Sequence, residues 1–319
     1  MPRPLRLLPC LTWLLAAAVL VLAGCQRATD ISPAAGGDSP TAAARLLVDD
    51  LRHDDLAAFW KHGLPPADHA ALVERWRQAQ VAQAVTDAAR KGYRQFMGPL
   101  TQPGARAELA RRLQTQVARI DDRYGDQVPV LIAIGGAVFR KIVAADTALS
   151  PRQEQGLQDA LAPVLTWAQH APWLDRERAG RAANIAVDTA RSLQLATLDQ
   201  ARALDFPTAM AKTSRLWTGA KQVLALYGLS LDAVLDSAKL TLLSQRAGVA
   251  HVRIDYLLEG QPQRVVVKMR EVDGRWYADA MPQLARAVAP PDWDGWWGPS
   301  RAHVGYITAG RDAGASPVQ

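Results

Sequence analysis

Residues 251–279 read HVRIDYLLEGQPQRVVVKMREVDGRWYAD. Val252, Ile254 and Tyr256 alternate with His251, Arg253 and Asp255. Successive side chains of an extended backbone point to opposite faces, so this period of two predicts a strand with one covered face. Gly260 marks a turn. Val265, Val267 and Met269 then alternate with Arg264, Lys268 and Arg270, and Val266 interrupts the charged face. Asp273-Gly274 is a hairpin signal, because both positions accept positive φ. Arg275 to Asp279 forms the return strand, and Leu240 and Leu242 open the pattern upstream. One apolar and one charged face predict an antiparallel meander of three to four strands, packed on helices by one side.

Upstream of residue 239 the period is helical. Ala44, Leu47, Val48 and Leu51 share a face, and Leu56, Phe59 and Trp60 resume it after His53-Asp54. Asp54 or Asp55 caps the second helix, and Leu64-Pro65-Pro66 stops it. Leu72 and Trp76 carry the next helix, which is followed by another up to Phe96. Gly98-Pro99 and Pro103-Gly104 are expected to bracket a loop. After a helix from about Ala105 to Ile120 comes a polar turn, Asp121 to Asp126. Val128 to Phe139 is the most apolar segment after the N-terminus, yet too short to span a bilayer. It is expected to be the central buried helix, with Gly135-Gly136 admitting a close neighbour. Further helices are expected at about 151–168, 182–195, 198–204, 207–227 and 229–235. The fold class is therefore α+β, a predominantly helical body with a C-terminal antiparallel β-meander. Its expected divisions are a helical domain at 42–194, helices plus sheet at 195–285, and a Trp-rich segment with a loose tail at 286–319.

The N-terminus sets location. Arg3 and Arg6 precede an uncharged run from Leu11 to Ala23, the pattern of a secretory signal peptide. Leu22-Ala23-Gly24-Cys25 resembles the lipobox of bacterial lipoproteins. The resemblance implies cleavage before Cys25, acylation of Cys25 and removal of residues 1–24. Gln26, where an Asp favours inner-membrane retention in that family, implies the periplasmic face of the outer membrane. Residues 25–41 are small, polar and rich in Gly, Pro and Ser, and are expected to be a flexible tether without fixed structure.

The meander resembles the closing strands of the nuclear-transport-factor-two-like cone fold found in small bacterial lipoproteins. The resemblance rests on Val252-Arg253-Ile254, Val265-Val266-Val267 and Asp273-Gly274-Arg275-Trp276. Residues 42–62 look like that family's opening helix pair. A long helical stretch separates the two parts, a departure from the family pattern. That fold hosts enzymes and binders alike, so function has to be argued from a site.

Composition narrows the classes. Hydrophobic residues make up 49% and charged residues 21% of 319, enough apolar content for a real core. The formal charge of +6 is modest, and no dense basic run with interleaved aromatics points to nucleic acid. On the lipobox resemblance Cys10 would leave with the signal peptide and Cys25 would carry lipid, so the body is expected to have neither disulfide nor thiolate chemistry. The common hydrolase, nucleotide and dinucleotide fingerprints are missing from the sequence. His62, Asp68, His69 and Glu74 flank a Pro-Pro bend without zinc spacing, and no metal or cofactor is expected. Asp121, Asp122 and Asp126 lack the rest of a calcium loop. Asp236 with Glu259 or Asp255 is a conceivable carboxylate pair that sequence cannot bring together.

Trp293, Trp296 and Trp297 are the candidate ligand or partner residues. Their indoles suit stacking on sugar rings or anchoring a partner, or they plug the core. The same alternatives hold for Trp167 and Trp173, which flank His170-Ala171-Pro172. The expected function is a non-enzymatic lipoprotein, anchored in the membrane by its lipid and binding an envelope protein or cell-wall component. The alternatives are a periplasmic inhibitor or immunity protein against a cell-wall-degrading toxin, and an enzyme with a helix-walled pocket.

Overall fold

The alternating stretch folds as four antiparallel strands in the order β1-β2-β3-β4. They are β1 (Lys239–Arg246), β2 (Val249–Leu258), β3 (Gln261–Val272) and β4 (Arg275–Ala278). The computed structural model describes residues 34–82, 85–145, 162–288 and 290. Each hairpin turns on two residues with positive φ: Ala247-Gly248, Glu259-Gly260 and Asp273-Gly274. Such turns match the right-handed twist of the flanking strands. Val252 sits opposite Leu242 on one side and Val267 on the other, so the apolar positions of three strands fall in one row. The fold is α+β, with the sheet on the C-terminal side.

The helices begin where short polar side chains can accept backbone N–H bonds. Ser39 caps α1 (Pro40–Arg52) and Asp55 caps α2 (Leu56–Gly63). Between them Asp54 takes the left-handed conformation at φ 58°, which leaves capping to Asp55. α3 (Pro66–Ala82) starts on a proline, and Thr86 caps α4 (Asp87–Thr101). Gly98-Pro99 lies inside the last turn of α4, not in the expected loop. α5 (Ala105–Tyr124) runs through Asp121 and Asp122 and passes by a 3-10 turn (Gly125–Gln127) into α6 (Val128–Ala145). A helix over 162–170, α7, precedes α8 (Arg176–Leu193), which Asp175 caps. A capping box between Thr197 and Gln200 starts α9 (Leu198–Arg202), and Asp205 caps α10 (Phe206–Leu226). Ser230 caps α11 (Leu231–Asp236), and α12 (Met281–Ala287) follows the sheet.

Two cores hold these elements. The larger joins Ala43, Ala44, Leu64, Leu72 and Trp76 to Phe206, Met210, Val252, Met269, Trp276 and Met281. Trp76 donates its indole N–H to the Leu204 carbonyl at 3.1 Å and meets the Phe206 ring edge-on. The smaller core joins Ala89, Tyr93 and Met97 of α4 to Ala190, Leu193, Leu198 and Ala201. Both cores cross residue 194, so packing does not respect the expected division there. The larger core thus joins α1–α3 to the sheet.

Two further expectations are corrected. Residues 35–39 are not a free tether. Gly36 N–H donates to the His62 carbonyl at 2.9 Å, and Gly37 exchanges backbone bonds with Trp276. A Cβ at Gly36 would come within 2.9 Å of Tyr277 and the Trp276 carbonyl, so this approach requires glycine. The second correction concerns α6, whose Val130, Leu131, Ile134 and Val138 are exposed. Among the described residues its packed side is marked by Gly136, where a Cβ would lie 2.8 Å from Leu165 of α7. Gly135 faces open space.

Candidate functional site

α7 ends at His170 because Pro172 cannot continue it, and α10 ends at Tyr227-Gly228, where Gly228 has φ 97°. These two ends and the β2–β3 turn enclose an open cleft of about 680 Å³. Its lining includes Trp167, His170, Arg178, Tyr227, Glu259, Gln261 and Gln263.

Trp167 and Tyr227 give the cleft its aromatic side, and Trp173, which does not line it, packs against both. Trp167 meets Trp173 edge-on with ring centres 5.2 Å apart, and Trp173 stacks on Tyr227 at 4.8 Å and 28°. Both indole N–H groups are spent internally. That of Trp167 donates to the Tyr227 carbonyl at 2.9 Å, and that of Trp173 to the Ala168 carbonyl at 2.6 Å. Trp167 is thus oriented by its edge, which leaves ring surface for the cleft. Burial pushes the Tyr227 phenol above its ordinary pKa, and the nearby Asp175 charge adds to this, so it stays neutral.

The polar side is equally held. Arg178 donates through Nε to Asp175 at 3.0 Å and through a terminal nitrogen to the Leu226 carbonyl. Asp175 accepts the Arg178 backbone N–H, which with the guanidinium keeps its carboxyl below the usual range. His170 donates from Nδ1 to the Thr166 carbonyl at 2.7 Å, so in the neutral ring Nε2 is the acceptor. Glu259 is exposed at the turn, with Gln261 and Gln263 following it. Ring faces, two amides, a fixed cation, an imidazole and a carboxylate can together bind a polar ligand that has an apolar face.

Trp167 and Trp173, which sequence placed at a helix junction, are brought together here. Cys25, Trp293, Trp296 and Trp297 lie outside the described residues. Arg178, Tyr227 and Gln263 escaped the sequence reading. Tyr227-Gly228 as a helix stop before Ser230 was the signal that pointed to one wall, whereas nothing local marks Arg178 or Gln263.

The other acids and histidines are engaged separately. His62 is buried and donates through Nδ1 to Asp50 at 2.9 Å, while its Nε2 makes no hydrogen bond. Burial pushes the Asp50 carboxyl up, against the opposing effect of His62. His69 meets the Phe206 ring edge-on at 6.1 Å, and burial, with the Lys61 charge, lowers its pKa. Glu74 is paired with Arg77 and held down to about 2. Asp236 pairs with Arg52, and Asp255 with Arg253 and Arg264. Lys221 is buried between Asp54, at 2.6 Å, and Asp232. Burial alone would depress its ammonium, but the two carboxylates outweigh that and hold it charged. It clamps the α1–α2 turn onto α10 and α11.

No protein-family model matches the chain, and neither a curated protein nor a solved structure matches it significantly.

Proposed function

We propose that this protein is a lipid-anchored binding module of the bacterial envelope, held by Cys25 at the periplasmic face of the outer membrane. In this reading the cleft between α7, α8, α10 and the β2–β3 turn takes a saccharide of the cell wall. The observation that carries it is the pair of aromatic rings, Trp167 and Tyr227, that faces a polar rim and is packed against Trp173. The C–H face of a pyranose stacks on an indole, and its hydroxyl and amide groups require the donors and acceptors that Gln261, Gln263 and Glu259 offer. Arg178 and His170 suit an acidic substituent or an amide carbonyl.

Retention on purified cell-wall sacculi tests the reading. Trp167→Ala is expected to weaken retention about tenfold, a loss of about 1.4 kcal/mol, while Trp167→Phe retains part of it. Equal retention by the wild type and Trp167→Ala contradicts the cleft. Palmitate incorporation that Cys25→Ser abolishes tests the anchor. Trp293, Trp296 and Trp297 are proposed as a further contact segment. Envelope pull-downs unchanged by Trp296→Ala and Trp297→Ala remove them.

His170 and Glu259 in one cleft are the observation that favours an enzyme instead. Soluble fragments released from sacculi by the wild type, and lost with Glu259→Gln, would replace the binder with a hydrolase.

A further inference from the structure

The exposed side of α6 has the chemistry of a lipid-facing helix. Val130, Leu131, Ile134 and Val138 are exposed by 58%, 53%, 55% and 53%, an unusual loss for large apolar residues. With 3.6 residues per turn, all four fall within an arc of roughly 100°. The opposite side is already occupied, because Gly136 is buried against Leu165. The only charged residues within α6 are Arg140 and Lys141, both exposed. Lys141 lies two turns beyond Ile134, on the same side as the apolar stripe. An apolar stripe ending in cations complements an anionic bilayer surface: the stripe enters the acyl boundary and the cations meet phosphates. α6 is not long and apolar enough to cross a membrane.

The second support is the length of the tether. Ala35, where the chain is already fixed beside β4, lies ten residues along the chain from Cys25. Ten extended residues span at most about 35 Å. An acyl group on Cys25 keeps the body within that reach of the bilayer, and a second, weak contact is then strengthened by proximity.

We propose that α6 lies in the phospholipid surface as a second membrane contact beside the Cys25 anchor. The setting rests on the anchored reading above, but the affinity of the helix can be measured without acylation. The test uses the full chain from residue 25 onward carrying Cys25→Ser, which has no thiol and no lipid. Vesicles of phosphatidylethanolamine with a minor fraction of phosphatidylglycerol are expected to sediment it, and phosphatidylcholine vesicles to do so far less. Ile134→Asp and Lys141→Glu are each expected to reduce sedimentation about tenfold.

An environment-sensitive dye on Ile134→Cys is expected to shift to the blue with vesicles, whereas the same dye on Glu177→Cys does not. If Ile134→Asp fails to fold, the dye and Lys141→Glu decide. No vesicle binding, or binding indifferent to these variants, overturns the proposal. A dimer that Ile134→Asp dissociates, with no vesicle binding, also overturns it and assigns the stripe to a second copy. Palmitate incorporation with failed vesicle binding sinks this inference alone. Vesicle binding without palmitate incorporation sinks only the anchor.

Discussion

Asp50 and His62 show how a buried polar pair constrains its neighbourhood. Each supplies what the other lacks, and both are buried. His62→Ala leaves a carboxyl in a low-polarity site and is expected to cost about 3 kcal/mol in urea unfolding. Unchanged stability would show that Asp50 finds another partner. His69 carries a pH dependence with a definite sign. Its folded pKa is below 6.5, so on acidification the unfolded chain binds its proton first and stability falls. The loss begins as pH drops through 6.5 and is complete below the folded value. His69→Phe is expected to reduce the slope of melting temperature against pH in that window, and an unaltered slope would contradict it.

At the scale of elements, the two adjacent glycines of α6 separate packing from propensity. Gly135→Ala adds a methyl group to open space and is expected to stabilise by about 0.5–1 kcal/mol. Gly136→Ala drives a methyl group against Leu165 and is expected to cost about 1 kcal/mol or more. Denaturant midpoints that move together would contradict this assignment of faces. The sheet was legible in advance because period-two alternation and Asp273-Gly274 are local signals. Most helices were legible for the same reason, through caps such as Asp55 and Ser230. The exposure of α6 was not legible, because an apolar run has the same sequence whether protein or another medium covers it. Gly98-Pro99 misled because Pro99 falls in the last turn of α4, where it forfeits one bond, to the Gln95 carbonyl, with only two helical residues after it. The cleft was half legible. The indoles of Trp167 and Trp173 on either side of the α7 end stood out, but Arg178, Tyr227 and Gln263 meet only through long-range packing.

At the scale of the whole molecule, the first core is built from both ends of the chain, and residues 35–38 fasten it. Arg275 donates to the carbonyls of Ala35 and Gly36 at 3.1 and 2.6 Å and pairs with Asp38. Arg275→Ala is expected to cost about 1–2 kcal/mol and to open a protease site at residues 35–39. Resistance equal to the wild type would show that the Gly36 and Gly37 backbone bonds suffice. In the proposed anchored form, this fastening at residues 35–38 would hold the α6 stripe and the aromatic cleft within a short reach of one membrane. The cleft is the part of this account that gives the protein a task. Calorimetric titration of soluble cell-wall disaccharide fragments into the non-acylated chain tests it most directly. The account predicts saturable heat in the wild type and about tenfold weaker binding in Trp167→Ala, measured well below the melting temperature of both. Absence of heat in the wild type, or equal affinity in Trp167→Ala, would contradict it.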